Sequence, residues 1–167
     1  MLQKGFTFIE LILYIAILTV IAISSTELAI NLVSTRSKSR VQENVAYNSR
    51  FATKRIIYEL RRATGITSIS PSDLCLVNPD TVYNPTRIYL VGSVIYLGWG
   101  GGGACTSTTN NVALTSNGVN ISNLVFNNGS TGSSFQVDFA FNINGSGNIL
   151  RKEWSYASVA SGSGQLR

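Results

Sequence analysis

The sequence predicts an α+β protein in which one very long N-terminal helix packs on a C-terminal antiparallel sheet. Three observations lead there. No Pro and no Gly occurs among the 59 residues from Phe6 through Thr64, and these are the residues that most readily end a helix. Past Gly65 the apolar spacing changes from a period of about 3.6 to a period of 2. Asn117-Gly118, Asn128-Gly129 and Asn144-Gly145 then punctuate the apolar runs as turn residues do.

Four regions follow in order: a short polar leader (1–5), an apolar helical part (6–35), an amphipathic helical part (36–64) and a Gly/Asn/Ser/Thr-rich head (65–167). A helix across both middle regions is on the order of 85 Å long at 1.5 Å per residue, more than a core of this size can cover. Its first part suits a bilayer: the 18 residues from Phe6 to Ile23 carry a single charge, Glu10, and apolar positions continue through Leu28, Ile30, Leu32 and Val33. A carboxylate at the bilayer centre costs about 2.5–3.5 kcal/mol on insertion scales, and such residues usually carry function.

The second part is one-sided. Val41, Val45, Ala52, Ile56 and Ala63 recur at helical spacing, with Arg40, Asn44, Arg55 and Arg62 on the other faces. That stripe needs a cover. Arg61 and Arg62 favour the helix C-terminus, and Gly65 is expected to take a left-handed cap.

In the head, RIYLVGSVIYLGW reads as a hairpin about Gly92-Ser93, a two-residue turn with Gly first. Phe135, Val137, Phe139, Phe141 and Ile143 alternate with Gln136, Asp138, Ala140 and Asn142, so one face of that strand is expected to be core. With Ile121 to Phe126 and Ile149 to Tyr156 it forms a predicted meander, whose apolar face would cover the helix stripe.

Charge and chemistry narrow the function. The net charge is +5, and eight of the 13 Lys/Arg residues lie between Arg36 and Arg62, which makes a basic rod. There is no His and only Cys75 and Cys105, so no Cys/His metal cluster or Cys–His catalytic pair can be built. No cofactor is expected, and most familiar enzyme chemistries are disfavoured. The two cysteines read as one disulfide made outside the cytoplasm, closing a loop of about 30 residues for roughly 3–4 kcal/mol. Two buried reduced thiols are the alternative.

Lys4-Gly5-Phe6-Thr7-Phe8-Ile9-Glu10-Leu11, followed by its apolar run, resembles the processing signal of type IV pilins and of type II secretion pseudopilins. The resemblance implies cleavage by a prepilin peptidase between Gly5 and Phe6, methylation of the new N-terminal Phe6, and assembly with other pilin or pseudopilin subunits after residence in the inner membrane lipid. It also implies that Glu10 neutralises the terminal amine of a neighbouring subunit and sets axial register. Phe8 stands where Leu is usual. The absence of a mid-helix Pro, present in many major pilins, points toward a minor pilin or pseudopilin.

Other readings stay open. Glu10 can snorkel to headgroups, or pair with its own chain's amine four residues earlier. An ordinary signal peptide would be cut near Ser24-Ser25, although an acid inside its apolar stretch argues against that. The basic stretch offers nucleic acid a surface but lacks aromatic interleaving. It also follows the apolar run closely, against a simple positive-inside count, and the leader signature is given precedence. Trp99-Gly100-Gly101-Gly102-Gly103 lacks the Lys-Ser/Thr of a phosphate loop. The Asn-x-Ser triplets at Asn120, Asn128 and Asn144 carry little weight, and Asp73, Asp80 and Asp138 are too scattered for a calcium loop. The expectation is a structural filament subunit in the bacterial cytoplasmic membrane, crossing once with its head outside. The alternative is a membrane-tethered monomeric adhesin or DNA-uptake module.

Overall fold

The structure is a computed structural model and describes residues 7–102, 105–130, 135–146 and 156–166. The expected scissile pair Gly5-Phe6 and most of the Ile149 to Tyr156 run lie outside these residues.

Helix α1 spans Phe8–Arg62, 55 residues without interruption, or about 80 Å at the standard rise. Hydroxyls inside its apolar half bond back along the helix: Ser24, Ser25 and Thr26 each donate to the carbonyl four residues earlier, at 2.8–2.9 Å. Such bonding satisfies a hydroxyl without water. The helix ends as Ala63 turns to extended geometry (φ −74°, ψ 146°), with Arg61 and Arg62 in the last turn. Thr64 N–H then donates to the Val77 carbonyl at 2.9 Å, so the chain passes straight into strand pairing. Gly65 is therefore not the left-handed cap the sequence predicts. It opens β1, where the Val77 side chain lies 3.7 Å from the position a Cβ would take.

Two sheets replace the single meander. β1 (Gly65–Ser70), β2 (Asp73–Val77), β3 (Thr86–Val91), β4 (Val94–Trp99) and β5 (Asn110–Ala113) pair in sequence order, all antiparallel. β6 (Val119–Asn128), β7 (Gln136–Gly145) and β8 (Ala157–Gln165) form a second, three-stranded sheet. Backbone bonds from Ile121 to Ser93 and from Phe126 to Pro71 hold β6 against the turns of the first sheet. The β3–β4 hairpin pairs Val91 with Val94 around Gly92, whose φ of 61° suits Gly better than most residues bearing a β-carbon.

On β7 the inward set is Val137, Phe139, Phe141 and Ile143, all buried, whereas Phe135 precedes the strand and is exposed. Asn144-Gly145 belongs to the strand and makes no turn, since Gly145 pairs with Val119. β8 begins just after Tyr156 and has almost no large apolar residue, yet it pairs with β7 along its length. Its small residues let the helix come close. A Cβ on Gly164 would stand 2.7 Å from Leu60 Cβ and Cδ1, and one on Gly162 would stand 2.7 Å from Phe139 Cζ. Gly164→Val is accordingly expected to lower head stability by about 1–3 kcal/mol through overpacking, read as a lower thermal midpoint in detergent. An unchanged midpoint would mean the helix does not press on β8.

The core is one cluster. Val41, Val45, Ala52, Ile56, Leu60 and Ala63 of the helix join the inward faces of β7, β2 (Leu74, Leu76), β3 (Ile88) and β4 (Ile95, Leu97). Two polar residues on the covered side escaped the sequence reading. Asn48 accepts the Ser116 N–H at 2.8 Å and donates to the Asn44 carbonyl, tying the helix to the crossing between the sheets. Glu59 is buried against Arg55, 2.7 Å away. At the helix end Arg62 pairs with Asp80 at 3.2 Å and lies over the Tyr83 ring, which fixes the β2–β3 loop.

Candidate assembly surface

The head covers only the second half of the helix. Every residue from Thr7 to Val33 is exposed, and 16 large apolar side chains are among them, from Phe8 to Val33. Soluble monomers rarely leave so much apolar surface uncovered. Each fully buried large side chain releases about 1.5–3 kcal/mol, so lipid or another apolar rod will cover this one. The helix is long and apolar enough to cross a membrane.

Glu10 is the only charge from Phe8 to Thr26. It is exposed in the first helical turn, where the positive end of the helix dipole favours an anion. Thr7 occupies the N-cap and its carbonyl accepts the Glu10 and Leu11 N–H groups at 3.1 and 3.2 Å. Thr7 and Glu10 have the spacing of a capping box, a signal the sequence reading passed over, but the Thr7 side chain makes no capping bond. No cation lies within ion-pair distance of Glu10 among the described residues. Its carboxylate thus stands on an apolar rod with its charge unmatched among the described residues.

The head-end face of the helix that points away from the sheets carries an aromatic stripe, also missed in the sequence. Tyr47 and Phe51 stack at 6.2 Å, Tyr58 sits under Arg55, and Glu43, Arg50 and Lys54 flank them. Periodicity finds the covered face first and leaves such residues unread.

The cysteines form a disulfide, with Cα atoms 6.0 Å apart, inside the usual bridging range. It fastens the loop after β4 over the outer face of β2 and β3. Arg87, paired across from Cys75, grips Asp73 through two nitrogens and also donates to the Thr106 carbonyl at 3.4 Å. Gly100, Gly101 and Gly102 all have positive φ, and a Cβ on Gly101 would stand 2.5 Å from the Ser107 carbonyl oxygen. The glycines serve this reversal of the chain. Among the described residues no group of three or more His, Cys, Asp or Glu side chains is placed to hold a metal ion.

Burial pushes the Glu59 carboxyl above its usual range, while Arg55 and Arg62 pull it back. The folded chain then keeps a proton that the unfolded chain has released. Its stabilising effect is fully present below ~4.3 and is lost as pH rises through the raised value. Glu59→Gln is expected to remove this dependence, so that the variant gains on the parent as pH rises from 4 to 7 in denaturant titrations. A difference that stays constant with pH would contradict it.

Residues 1–26 match the family model of the prokaryotic N-terminal methylation motif. Comparisons with curated proteins and with solved structures gave no match.

Proposed function

We propose that this chain, a type IV pilin-like prepilin by its methylation motif and long apolar helix, is a structural subunit of the minor pilin or pseudopilin kind. It enters the membrane with Phe6 to Val33, is cut between Gly5 and Phe6 by prepilin peptidase, and is methylated on Phe6. It then leaves lipid for a bundle of like rods in a pilus or secretion filament. The carrying observation is that the motif runs into a helix whose residues 7–33 are all exposed while its other half is built into a folded head.

The chemistry is exchange of one apolar surrounding for another, so the hydrophobic gain is small and placement falls to the polar groups. Cleavage creates an α-amine on Phe6, cationic even when methylated, in a setting where an unpaired charge is expensive. Glu10 of an adjacent copy supplies the counter-charge, and the match of the two fixes axial register. The contacts are heterologous and do not close, which generates a fibre. The head lies outside the cytoplasm, where its disulfide forms. The uninterrupted helix supports the minor or pseudopilin kind, because the kink or melted segment of major subunits has no Pro to start it.

The test is fractionation of sheared fibres from cells with and without prepilin peptidase. The chain is expected in the fibre fraction only when the peptidase is present. Retention in the cell membrane while fibres form normally would overturn assembly and favour the tethered adhesin or DNA-uptake module.

A further inference from the structure

Glu27 is the second carboxylate of the uncovered rod, and no cation among the described residues answers it. It is exposed, no ion pair engages it among the described residues, and from residue 11 to residue 35 it is the only charge. The residues one helical turn away, Ile23, Ser24, Ile30 and Asn31, carry no cation. Beyond them Arg36, Lys38 and Arg40 form an exposed basic belt that makes no ion pair among the described residues. Acid and belt belong to one helix, too far apart to meet within it.

Helix geometry sorts the belt. At about 3.6 residues per turn, Arg36 is two and a half turns past Glu27 and lies on the opposite face, ~14 Å along the axis. Lys38 is about three turns on, nearly beneath Glu27 on the same face, and Arg40 is some 40° away from the line of Arg36. Parallel rods related by translation, or by a small rotation about a distant axis, meet through opposite faces. The face bearing Glu27 on one rod therefore meets the face bearing Arg36 on the next, and an axial shift of about 14 Å brings the two levels together.

We propose that Glu27 pairs with Arg36 of a second copy of this chain, as a further register contact between adjacent rods. The occupant follows from charge: a parallel copy offers an arginine at the needed face and height, set among the apolar surfaces of Leu28, Ile30, Leu32 and Val33. Once other rods exclude water, this pair is charge-assisted and directional, whereas the flanking apolar contacts tolerate sliding. Lys38, on the wrong face, is not used. The proposal rests on the assembly reading above; its axial shift of about 14 Å differs from the roughly 6 Å between Glu10 and Phe6, so the second pair joins a different neighbour in the bundle from the Glu10 contact.

The test uses the full-length chain in cells that form fibres. Glu27→Cys and Arg36→Cys in one chain, oxidised in sheared fibres, are expected to give a ladder of linked multimers, because each copy is joined on both sides. Either substitution alone gives no ladder. Leu18→Cys serves as a reporter of rod contact. Glu27→Arg and Arg36→Glu are each expected to lower incorporation tenfold or more, the double exchange to restore it, and Lys38→Glu to leave it unchanged. Glu27 and Arg36 are both exposed and precede Val41, the first buried residue of the helix, so head folding is not at issue. Dimers at Leu18→Cys with no 27-to-36 ladder and no rescue by exchange would overturn the Glu27–Arg36 pair and leave assembly standing. Absence of products at every position would overturn both.

Discussion

Glu10→Ala is expected to leave cleavage after Gly5 intact, to raise the amount of chain held in the membrane, and to cut incorporation into fibres by two powers of ten or more. Removing the carboxylate eases insertion, by less than the ~2.5–3.5 kcal/mol of a carboxylate at the bilayer centre because Glu10 lies in the first helical turn. On the proposed pairing its removal would also strand the terminal amine of the neighbouring copy among apolar rods. Breaking a buried ion pair by removing one partner costs about 3–5 kcal/mol, and each 1.4 kcal/mol is a factor of ten. Glu10→Gln, which keeps the shape and loses the charge, is expected to behave like Glu10→Ala. The bland alternatives, snorkelling to headgroups or pairing within one chain, predict near-normal incorporation for both variants. Quantitative blotting of fibre and membrane fractions separates the outcomes.

The double replacement of Cys75 and Cys105 by Ser is expected to lower head stability by about 3–4 kcal/mol. The bridge closes a loop of 30 residues, and its loss frees the unfolded chain by about that amount. For a head of roughly 100 residues this lowers the thermal midpoint by more than about 10 °C. Reduction of the parent should give the same midpoint as the double variant. A midpoint unmoved by either treatment would show that the Arg87 contacts to Asp73 and Thr106 already hold the loop. Incorporation of residual folded protein should survive, because the bridge belongs to the head and not to the exposed rod.

The two perturbations act on different halves of the molecule, and the sequence announces those halves unequally. Val41, Val45, Ala52, Ile56 and Ala63 are buried because an amphipathic helix against a sheet leaves a periodic trace. Val137, Phe139, Phe141 and Ile143 are buried for the matching reason in a strand. β8 left no such trace. Its place beside the helix selects for absence of side chains at Gly162 and Gly164, and close approach by Leu60 and Phe139 reads in sequence as a polar linker. Phe135 misled in the opposite direction, since alternation persists past the point where the strand stops. Gly65 was a similar trap: Ala63 ends the helix by extending, so the left-handed turn is not needed.

Polar residues on covered surfaces were harder still. Asn48 and Glu59 lie within the buried side of the helix because each has a specific partner, the Ser116 N–H and the Arg55 guanidinium. No pattern of hydropathy anticipates a partner 68 residues away in the chain. Glu10 was conspicuous through incongruity, as a carboxylate in lipid-compatible sequence. Glu27 was not, because Ser24, Ser25 and Thr26 precede it and it looks like the polar end of the apolar run. Its relation to Arg36 needs the helix to be continuous between them, which the structure supplies.

The most direct measurement is intact mass, with N-terminal sequencing, of the chain recovered from sheared fibres. Expected is loss of residues 1–5, Phe6 at the N-terminus with one added methyl group, and two hydrogens fewer than the dithiol, from the Cys75–Cys105 bridge. A chain that begins near Ser25, or one that reaches fibres with residues 1–5 still attached, would contradict processing and assembly through the N-terminal rod.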